Sequence, residues 1–353
     1  MPKAIIAMSG GVDSSVAAFL MKQQGYDIIG VTLKLHTTEN ERDELSCCTQ
    51  QDILDAKAVC DRLGIEHRVI DFESDFKKYV IDRFVQSYID GGTPNPCIDC
   101  NRFIKFSELI RIANEEGFDY VVTGHYARVA FDENTSRYVL KKGVDESKDQ
   151  SYVLYSLTQD VLSKLRLPLG ELSKVRVREL AQEYGFINAD KKDSQDICFV
   201  QDGKYADFIS DYTGRKFAKG NFVDLCGNVL GTHQGIIRYT IGQRKGLNLS
   251  LPQPMYVCDK NIDTNTVTLC LNDELFSSEL VADDVNLISV KELKEPIKVK
   301  AKIRYKHVET DATLYPMDDK IKLVFDAPVR AITKGQAVVM YVDDTVLGGA
   351  TIL

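Results

Sequence analysis

The sequence predicts an α/β N-terminal domain with a parallel sheet and helices on both faces, then a small β-rich linking domain, then a C-terminal β-barrel. Up to about residue 200, short apolar runs alternate with stretches of helical length, which is typical of βαβ units. Beyond about residue 215 the helical periodicity disappears, and β-rich runs separated by turn residues replace it. We therefore predict domains at 1–205, 206–278 and 279–353.

Each predicted element follows from a local pattern. The strands of the first domain are short apolar runs, and the helices between them are amphipathic stretches, several of which end at glycine. The strands are predicted at 4–8, 28–35, 67–72 and 119–124, and the helices at 14–25, 52–64, 75–89, 103–117 and 175–185. The later β-rich runs are 221–231, 236–246, 255–259, 265–270, 297–305, 321–326, 337–344 and 346–353.

Composition excludes several classes of protein. The 353 residues are 44% hydrophobic and 27% charged, which excludes disordered, collagen-like and repeat-tract chains. No run approaches the roughly 18 apolar residues of a membrane span. The start, MPKAIIAMSGG, lacks the features of a signal or transit peptide, so we expect a cytoplasmic protein with no membrane partner. Nine cysteines, an odd number in a large chain of this kind, do not indicate a disulfide framework.

A glycine-rich motif follows the first predicted strand and precedes the first predicted helix. Its sequence, SGGVDSS at 9–15, places backbone N–H groups at a helix N-terminus, where a phosphate is favoured. Gly10 and Gly11 let an anion approach the main chain, and the serines add hydroxyl donors. The motif lacks the lysine of a Walker A loop. The simpler alternative is a strand-to-helix turn with a serine cap. The string matches the PP-loop of ATP pyrophosphatases.

Cysteines outside the predicted core form a second group of candidate functional residues. Cys97 and Cys100 lie three residues apart after TPNP, where two prolines favour an extended approach, and Cys198 lies in the polar run DSQDICF. This spacing fits redox or metal chemistry, a zinc half-site, or partly buried thiols. Cys47 and Cys48 form a further pair. Four other cysteines are assigned to packing: Cys60, Cys226, Cys258 and Cys270.

One predicted strand near the C-terminus is strongly basic. In KVKAKIRYK at 298–306, strict alternation puts five cations on one strand face, a possible footprint for a phosphate backbone. Residues 291–353 carry 11 basic and 9 acidic side chains, a net charge of +2 in a chain of −8. The alternative is a solvated strand face or a charged sheet edge.

Six strings together resemble the bacterial tRNA-specific 2-thiouridylases, which place sulfur on the wobble uridine, position 34, of certain tRNAs. They occur along the whole chain in that family's order, with its three-domain layout. The strings are SGGVDSS at 9–15, TPNPCIDCNRFIKF at 93–106, TGHYAR at 123–128, KDQSYVLYSL at 148–157, DSQDICF at 193–199 and GTHQGIIRYTIGQRKGL at 231–247.

The resemblance implies roles for individual residues. Cys100 would be the nucleophile and Cys198 the persulfide carrier, with a transient Cys100–Cys198 disulfide, and Asp13 would also be catalytic. ATP would be bound by Ala7, Met8, Ser9, Gly10, Gly11, Val12, Asp13, Ser14, Leu33 and Gly124. The target base would contact Asn95, Pro96 and Cys97, and the rest of the tRNA would contact His125, Lys148, Asp149, Gln150, Arg304, Tyr305 and Gln336.

The resemblance also implies ATP and Mg²⁺ as cofactors, tRNA of the Lys, Glu or Gln type as substrate, and a sulfur-relay protein or cysteine desulfurase as persulfide donor. Cys97 stands where some relatives have Asp, so Cys97, Cys100 and Cys198 could instead hold a [4Fe–4S] cluster. Three other classes remain: a PP-loop enzyme that activates a small-molecule carbonyl, another tRNA thiolase with different auxiliary domains, and a non-enzymatic metal- or RNA-binding module.

Overall fold

A five-stranded parallel sheet organises the N-terminal part of the chain, in the strand order β3-β2-β1-β4-β7. The computed structural model describes residues 1–36, 49–193, 197–200 and 203–353. All four neighbouring pairs in this sheet are parallel, which confirms the predicted α/β class. Its strands are β1 (Lys3–Ala7), β2 (Asp27–Lys34), β3 (His67–Asp71), β4 (Tyr120–Val122) and β7 (Leu165–Arg166).

Helices cover both faces of this sheet, as predicted. On β1, Ile5 belongs to one apolar cluster whereas Ala4 and Ile6 belong to another, because successive side chains of a strand point to opposite faces. The helices are α1 (Val12–Gln23), α2 (Gln50–Leu63), α3 (Glu73–Phe76), α4 (Asp82–Ile89), α5 (Pro96–Asp99), α6 (Ser107–Glu116), α7 (Gln159–Lys164), α8 (Lys174–Glu183) and α9 (Tyr205–Thr213).

Two of these helices continue through wide, π-helical turns. Lys77–Ile81 joins α3 to α4, and Cys100–Phe106 joins α5 to α6. The second helix therefore begins at Pro96, earlier than the predicted start at residue 103. Proline suits the first helical position because its missing N–H has no partner there, and Asn95 caps the helix by accepting a 3.1 Å hydrogen bond from the Cys97 N–H.

A small four-stranded sheet forms the central part of the chain, in the order β10-β11-β8-β9. The predicted β-rich character is confirmed, but the run 236–246 is not a strand: it forms a 3₁₀ turn at Ile236–Arg238 followed by a loop. Cys226 is exposed in the turn between two strands, so its assignment to packing is wrong. The strands are β8 (Gly220–Val223), β9 (Val229–His233), β10 (Tyr256–Asn261) and β11 (Thr266–Cys270).

The C-terminal strands close into a six-stranded antiparallel barrel, which confirms the predicted barrel. The order is β12-β15-β14-β13-β16-β17, and β17 pairs back with β12. A hairpin from the N-terminal region, β5 (Ala127–Asp132) and β6 (Arg137–Lys142), extends the same sheet beyond β17. The barrel strands are β12 (Phe276–Leu287), β13 (Ile297–Lys302), β14 (Thr310–Met317), β15 (Lys320–Arg330), β16 (Ala337–Val342) and β17 (Thr345–Ile352).

Strand β13 keeps the predicted alternation only as far as Lys302, because residues 303–306 form a turn, so the predicted strand face of five cations is wrong. Val299 and Ala301 are buried in the barrel, so the lysines between them point outward. Lys298 pairs with Asp326 at 2.7 Å, and Lys300 pairs with Asp311 at 2.9 Å. Neighbouring strands thus neutralise two of the five cations.

Within the four described ranges, no helix has the length and apolar character needed to cross a lipid bilayer.

Closure of the barrel depends on Gly348, which is paired with Leu287 across the β12–β17 seam. A Cβ at Gly348 would collide with the Asn286 carbonyl oxygen, which is backbone and cannot rotate away. We expect Gly348→Ala to lower the free energy of unfolding by about 2–3 kcal/mol, as overpacking does. Gly117→Ala is the control, because a Cβ at Gly117 has no atom within 4 Å. Its φ of +74° is unfavourable for alanine, so we expect its free energy of unfolding to fall by only about 1 kcal/mol. If urea unfolding showed equal decreases in stability for the two variants, the proposed role of Gly348 in closing the barrel would be contradicted.

Candidate functional site

The glycine-rich loop lies at the carboxyl edge of the parallel sheet, between β1 and α1. Met8 continues the β1 backbone, donating its N–H to the Val31 carbonyl and accepting from the Thr32 hydroxyl, both at 2.8 Å. Strand β1 has β2 on one side and β4 on the other, so the connections from β1 diverge here. Ligands of open α/β sheets bind in the crevice at such a switch point.

Hydroxyl groups hold the loop in shape. The side chains of Ser14 and Ser15 both donate to the Gly11 carbonyl at 3.0 Å, and the Ser9 N–H donates to the Ser14 hydroxyl at 3.2 Å. Gly11 occupies the N-cap position of α1 without a side-chain cap. The first amides of α1 therefore face the sheet edge with the partial positive charge that favours a phosphate.

Two glycines allow close packing around this loop. Gly10 has a φ of +71°, and a Cβ there would collide with the Asp52 carbonyl at the start of α2. Gly124 follows β4, and a Cβ there would lie 2.8 Å from the Asp13 carbonyl carbon. The predicted ATP-binding residues Ala7 to Ser14 and Gly124 therefore lie together. Leu33 lies at the end of β2 and packs into the apolar core.

A buried lysine joins the loop to the segment that precedes Cys198. The Lys174 ammonium, on a side chain only 9% exposed, lies 2.7 Å from Asp13 Oδ1 and 2.8 Å from Asp193 Oδ1. The Tyr126 hydroxyl donates to Asp13 at 2.7 Å. Sequence reasoning missed Lys174, because one lysine at the start of a charged amphipathic helix looks like a surface residue.

Asp193 receives three cations. Lys148 lies 2.8 Å from it and Arg178 3.0 Å, in addition to Lys174. Burial alone would raise the pKa of Asp193, but the hydrogen bonds from Lys148 and Lys174 outweigh burial and lower the pKa to about 2. Asp193 is therefore ionised at neutral pH and holds its segment beside α8.

A second lysine, also missed from the sequence, lies behind the loop. Lys191 donates to Asp52 and Asp55 at 2.6 Å and to the Gly10 carbonyl at 3.2 Å. Asn188 donates to the same carbonyl at 2.9 Å, and its buried Oδ1 has no hydrogen-bond partner among the described residues. These contacts fix the backbone of Gly10.

The cysteines that follow TPNP lie on a helix rather than in a loop. Cys97 and Cys100 are three residues apart on one helical face; Cys97 is exposed and Cys100 is 7% exposed. Partial loss of hydration raises the pKa of the Cys97 thiol, and the Lys105 ammonium lowers it. Charge on Cys198 also acts on Cys97, so the two thiols are near one another.

Cys198 is held by the residue that follows it. Phe199 packs edge-on against Phe84, with ring centroids 5.2 Å apart, and against Phe76 at 5.8 Å. Cys100 is part of an apolar cluster, and Cys198 packs against that cluster. Because Cys97 precedes Cys100 by three residues on one helix and interacts electrostatically with Cys198, the three thiols lie in one region. The Cys47–Cys48 pair lies outside the described residues.

The barrel holds the loop before Cys97. The Thr93 N–H donates to the Lys334 carbonyl at 2.9 Å, and the Gln336 side chain donates to the Thr93 carbonyl at 2.6 Å. Tyr305 donates its hydroxyl to the Asp149 carbonyl at 3.1 Å, and burial, Asp149 and Cys97 all raise its pKa. The predicted tRNA-contacting residues Tyr305 and Gln336 therefore lie at the edge of the cysteine region.

Two other predicted tRNA-contacting residues, Asp149 and Gln150, accept hydrogen bonds from the local backbone. Asp149 accepts from the Gly143 and Ser151 N–H groups at 3.1 Å, and Gln150 accepts from the Tyr126 N–H at 2.9 Å. The side chains of Asp149 and Gln150 therefore shape the backbone that presents Lys148.

His125 is an uncharged member of the site. Its ring lies 5.8 Å from Phe106, and its Nδ1 is 2.7 Å from the Thr123 hydroxyl. Burial and the nearby Lys105 ammonium lower the pKa of His125 to about 3. At neutral pH this imidazole can accept or donate a hydrogen bond, but it carries no acidic proton for catalysis.

The described residues give no support to the predicted iron–sulfur alternative. Among the residues that the structure describes, which include Cys97, Cys100 and Cys198, no group of three or more His, Cys, Asp or Glu side chains is placed to hold one metal ion.

Three family models match successive parts of the chain. Family models described as "tRNA methyl transferase HUP domain", "tRNA methyl transferase PRC-barrel domain" and "Aminomethyltransferase beta-barrel domain" match residues 2–202, 206–271 and 277–352. A solved 4-thiouridine synthetase–RNA complex with bound ATP aligns at 18% identity over 60% of this chain and 50% of that chain, with a TM-score of 0.37, too low to carry an argument.

Curated relatives are much closer. A protein named "tRNA-specific 2-thiouridylase MnmA" from Clostridioides difficile (strain 630) is 51% identical over 352 residues, 99% of this chain and 98% of its own. A relative of the same name from Acetivibrio thermocellus is 48% identical over 354 residues, 99% of each chain. With this similarity over essentially its whole length, the chain belongs to the tRNA-specific 2-thiouridylase family.

Proposed function

We propose that this protein uses ATP to replace the C2 oxygen of the wobble uridine, position 34, of tRNA with sulfur. One observation carries the proposal: Lys174 and Asp193 tie the phosphate-binding loop to the segment that bears Cys198, beside the helix that bears Cys100. An ATP-activating loop and two thiols in one region are what such a reaction needs. The names of the curated relatives support the same activity.

The first step activates a poor leaving group. The uridine O2 attacks the α-phosphorus of ATP, the bond between the α-phosphorus and the bridging oxygen breaks, and pyrophosphate leaves. The amides at the start of α1 would stabilise the charge that builds on the transferring phosphate. Mg²⁺ would accompany the nucleotide as its counter-ion, held mainly through phosphate oxygens.

The second step moves sulfur. The terminal sulfur of a persulfide on Cys198 attacks C2, and AMP leaves with the former O2. The Cys100 thiolate then attacks Cys198 Sγ, so the sulfur–sulfur bond breaks, its electron pair stays on the transferred sulfur, and a Cys100–Cys198 disulfide forms. In an alternative order, Cys100 attacks the persulfide first and releases sulfide, which then attacks C2. In both orders two thiols are oxidised and an external reductant restores them.

One cation at the site opposes the effect of burial on the thiols. Burial raises the pKa of the Cys97 thiol overall, the Lys105 ammonium acts in the opposite direction, and neutral His125 does not protonate a thiolate at pH 7. We assign nucleotide and sulfur chemistry to 1–205 and tRNA contact to 279–353, with 206–278 linking them. The substrates we propose are tRNAs of the Lys, Glu or Gln type. The persulfide donor would be a sulfur-relay protein or a cysteine desulfurase, and the location cytoplasmic.

The activity can be tested with unmodified tRNA of the Lys, Glu or Gln type, Mg-ATP and a low-molecular-weight thiol persulfide as sulfur donor, under anaerobic conditions. We expect mass spectrometry of digested nucleosides to find 2-thiouridine at the wobble position, with AMP and pyrophosphate formed in step. If pyrophosphate were released only when a small-molecule carbonyl compound replaced tRNA, the protein would be a different PP-loop enzyme. Folded protein that forms neither product would contradict the proposal.

Each of Cys100→Ser and Cys198→Ser should abolish 2-thiouridine formation, because a hydroxyl can neither carry the sulfane sulfur nor close the disulfide. Binding of ATP and tRNA should persist, since neither side chain holds the phosphate-binding loop. Cys226→Ser is the matched control and should keep full activity, because Cys226 is exposed in a turn of the central sheet. Normal turnover by either active-site variant would exclude the two-cysteine mechanism.

Asp193→Asn tests the link between the loop and Cys198. Lys174 keeps Asp13 as a partner, so ATP affinity should change little, whereas thiolation should fall about a hundredfold as Cys198 loses its position. The measurement compares ATP binding, pyrophosphate release and 2-thiouridine formation in one preparation. Asp190→Asn, at an exposed aspartate bonded only to Gln182, is the control and should leave all three unchanged. An equal fall in ATP binding and thiolation would argue against a positioning role.

A further inference from the structure

The central part of the chain is strongly basic. Residues 214–258 contain six basic side chains and one acidic one, a net charge of +5 in a chain whose total is −8. The basic string of the barrel at 298–306 also carries +5, but the segment around it, 291–353, carries only +2. Charge of one sign confined to one small domain of an acidic protein indicates a binding surface for the opposite charge.

Five of these cations are exposed, and within the described part of the chain none of them forms an ion pair with an acidic side chain. They are Arg215, Lys216, Lys219, Arg244 and Lys245. The sixth, Arg238, pairs with Asp207 at 2.5 Å. The contrast with strand β13 is clear, because Lys298 and Lys300 are both neutralised there.

The loop that carries Arg244 and Lys245 is rigid. The Gly242 N–H donates to the Val257 carbonyl at 2.7 Å, and the Val257 N–H donates to the Gln243 carbonyl at 3.0 Å. The Gln243 side chain accepts from the Thr240 N–H and donates to the Lys245 carbonyl, both at 3.0 Å. The two cations are therefore presented from a fixed backbone, which lowers the entropic cost of binding.

This loop is continuous with the proposed tRNA face of the barrel. A Cβ on Gly242 would lie 3.0 Å from the Ala331 side chain, and the Arg304 guanidinium lies 3.5 Å from the Ala331 carbonyl. Burial lowers the pKa of Arg304, and the nearby Arg330 lowers it further, so the two arginines are neighbours. A band of positive charge thus runs from Arg304 across the domain boundary to Arg244.

Two open cavities lie along the same band. One of about 400 Å³ is lined partly by Arg244, Gly246 and Asn248, and one of about 530 Å³ by Gln234, Arg238 and the same glycine and asparagine. A Cβ on Gly235 would lie 3.2 Å from Phe217, so the segment with Arg215, Lys216 and Lys219 adjoins the second cavity. Cations around polar hollows suit phosphate and sugar oxygens.

We propose that this surface, defined by Arg215, Lys216, Lys219, Arg238, Arg244 and Lys245, binds the sugar–phosphate backbone of the RNA substrate outside the reacting nucleotide. The inference rests on the proposed function, since it assigns a second contact for the same tRNA. The remainder of the chain carries a net charge of −13, the difference between −8 and +5, although its segment 291–353 is +2. The band would therefore both bind and orient the tRNA over the cysteine site.

The test is Arg244→Glu combined with Lys245→Glu in the full-length protein. Their side chains make no described hydrogen bond or ion pair, so the variant should fold normally. We expect tRNA affinity to fall about tenfold, and the slope of log affinity against log salt to shrink by about two, as for two lost phosphate contacts. The control variant combines Lys291→Glu with Lys294→Glu, in the exposed connection between β12 and β13. It changes the net charge by the same amount, and we expect it to alter neither the tRNA affinity nor the salt slope.

The outcomes separate this inference from the activity itself. If the wild type forms 2-thiouridine but the variant keeps wild-type affinity and salt dependence, the RNA surface is excluded and the proposed function stands. If the variant binds tRNA normally and loses activity only when a donor protein replaces the small-molecule persulfide, the surface belongs to the donor and our inference is wrong. If the control variant weakened tRNA binding by the same factor, the effect would come from net charge alone and the proposed surface would be excluded. A wild type that forms no thiouridine would overturn both proposals.

Discussion

The buried ammonium of Lys174 is the interaction on which the arrangement of the site depends. Moving a charge out of water costs several kcal/mol, and only close partners offset that cost. Lys174 has two, Asp13 in the phosphate-binding loop and Asp193 before the Cys198 segment, each within 2.8 Å. These ion pairs hold the loop, helix α8 and Asp193 together.

A second constraint comes from the barrel, which belongs to the site as much as the α/β sheet does. Backbone and side-chain hydrogen bonds from Lys334 and Gln336 hold Thr93, at the start of the loop that leads to Cys97. The β5–β6 hairpin extends the barrel sheet from within the N-terminal region. The C-terminal domain therefore shapes the entrance to the cysteines. Any RNA contact made by the barrel is made close to the reacting groups.

Local patterns predicted most of the architecture because the patterns are themselves local. Apolar runs of strand length became β1 and β2, and the glycine-rich turn between β1 and α1 was recognisable from seven residues. The helix at Pro96 was missed, although Asn95 as N-cap and Pro96 at the first helical position are sequence signals for it. The run 236–246 was misjudged because its isoleucines are buried by a 3₁₀ turn and a loop, and burial alone does not make a strand.

By itself, the sequence determined the fold class, the phosphate-binding loop and the family resemblance, because each depends on residues adjacent in the chain. Only the tertiary structure decided which charges are compensated. Lys174 lies 161 residues from Asp13, and Lys298 lies 28 residues from the Asp326 that neutralises it. No pattern in a single segment reports such distant partners. For the same physical reason, the unpaired cations of the central domain became distinguishable from the paired cations of the barrel only once the chain was folded.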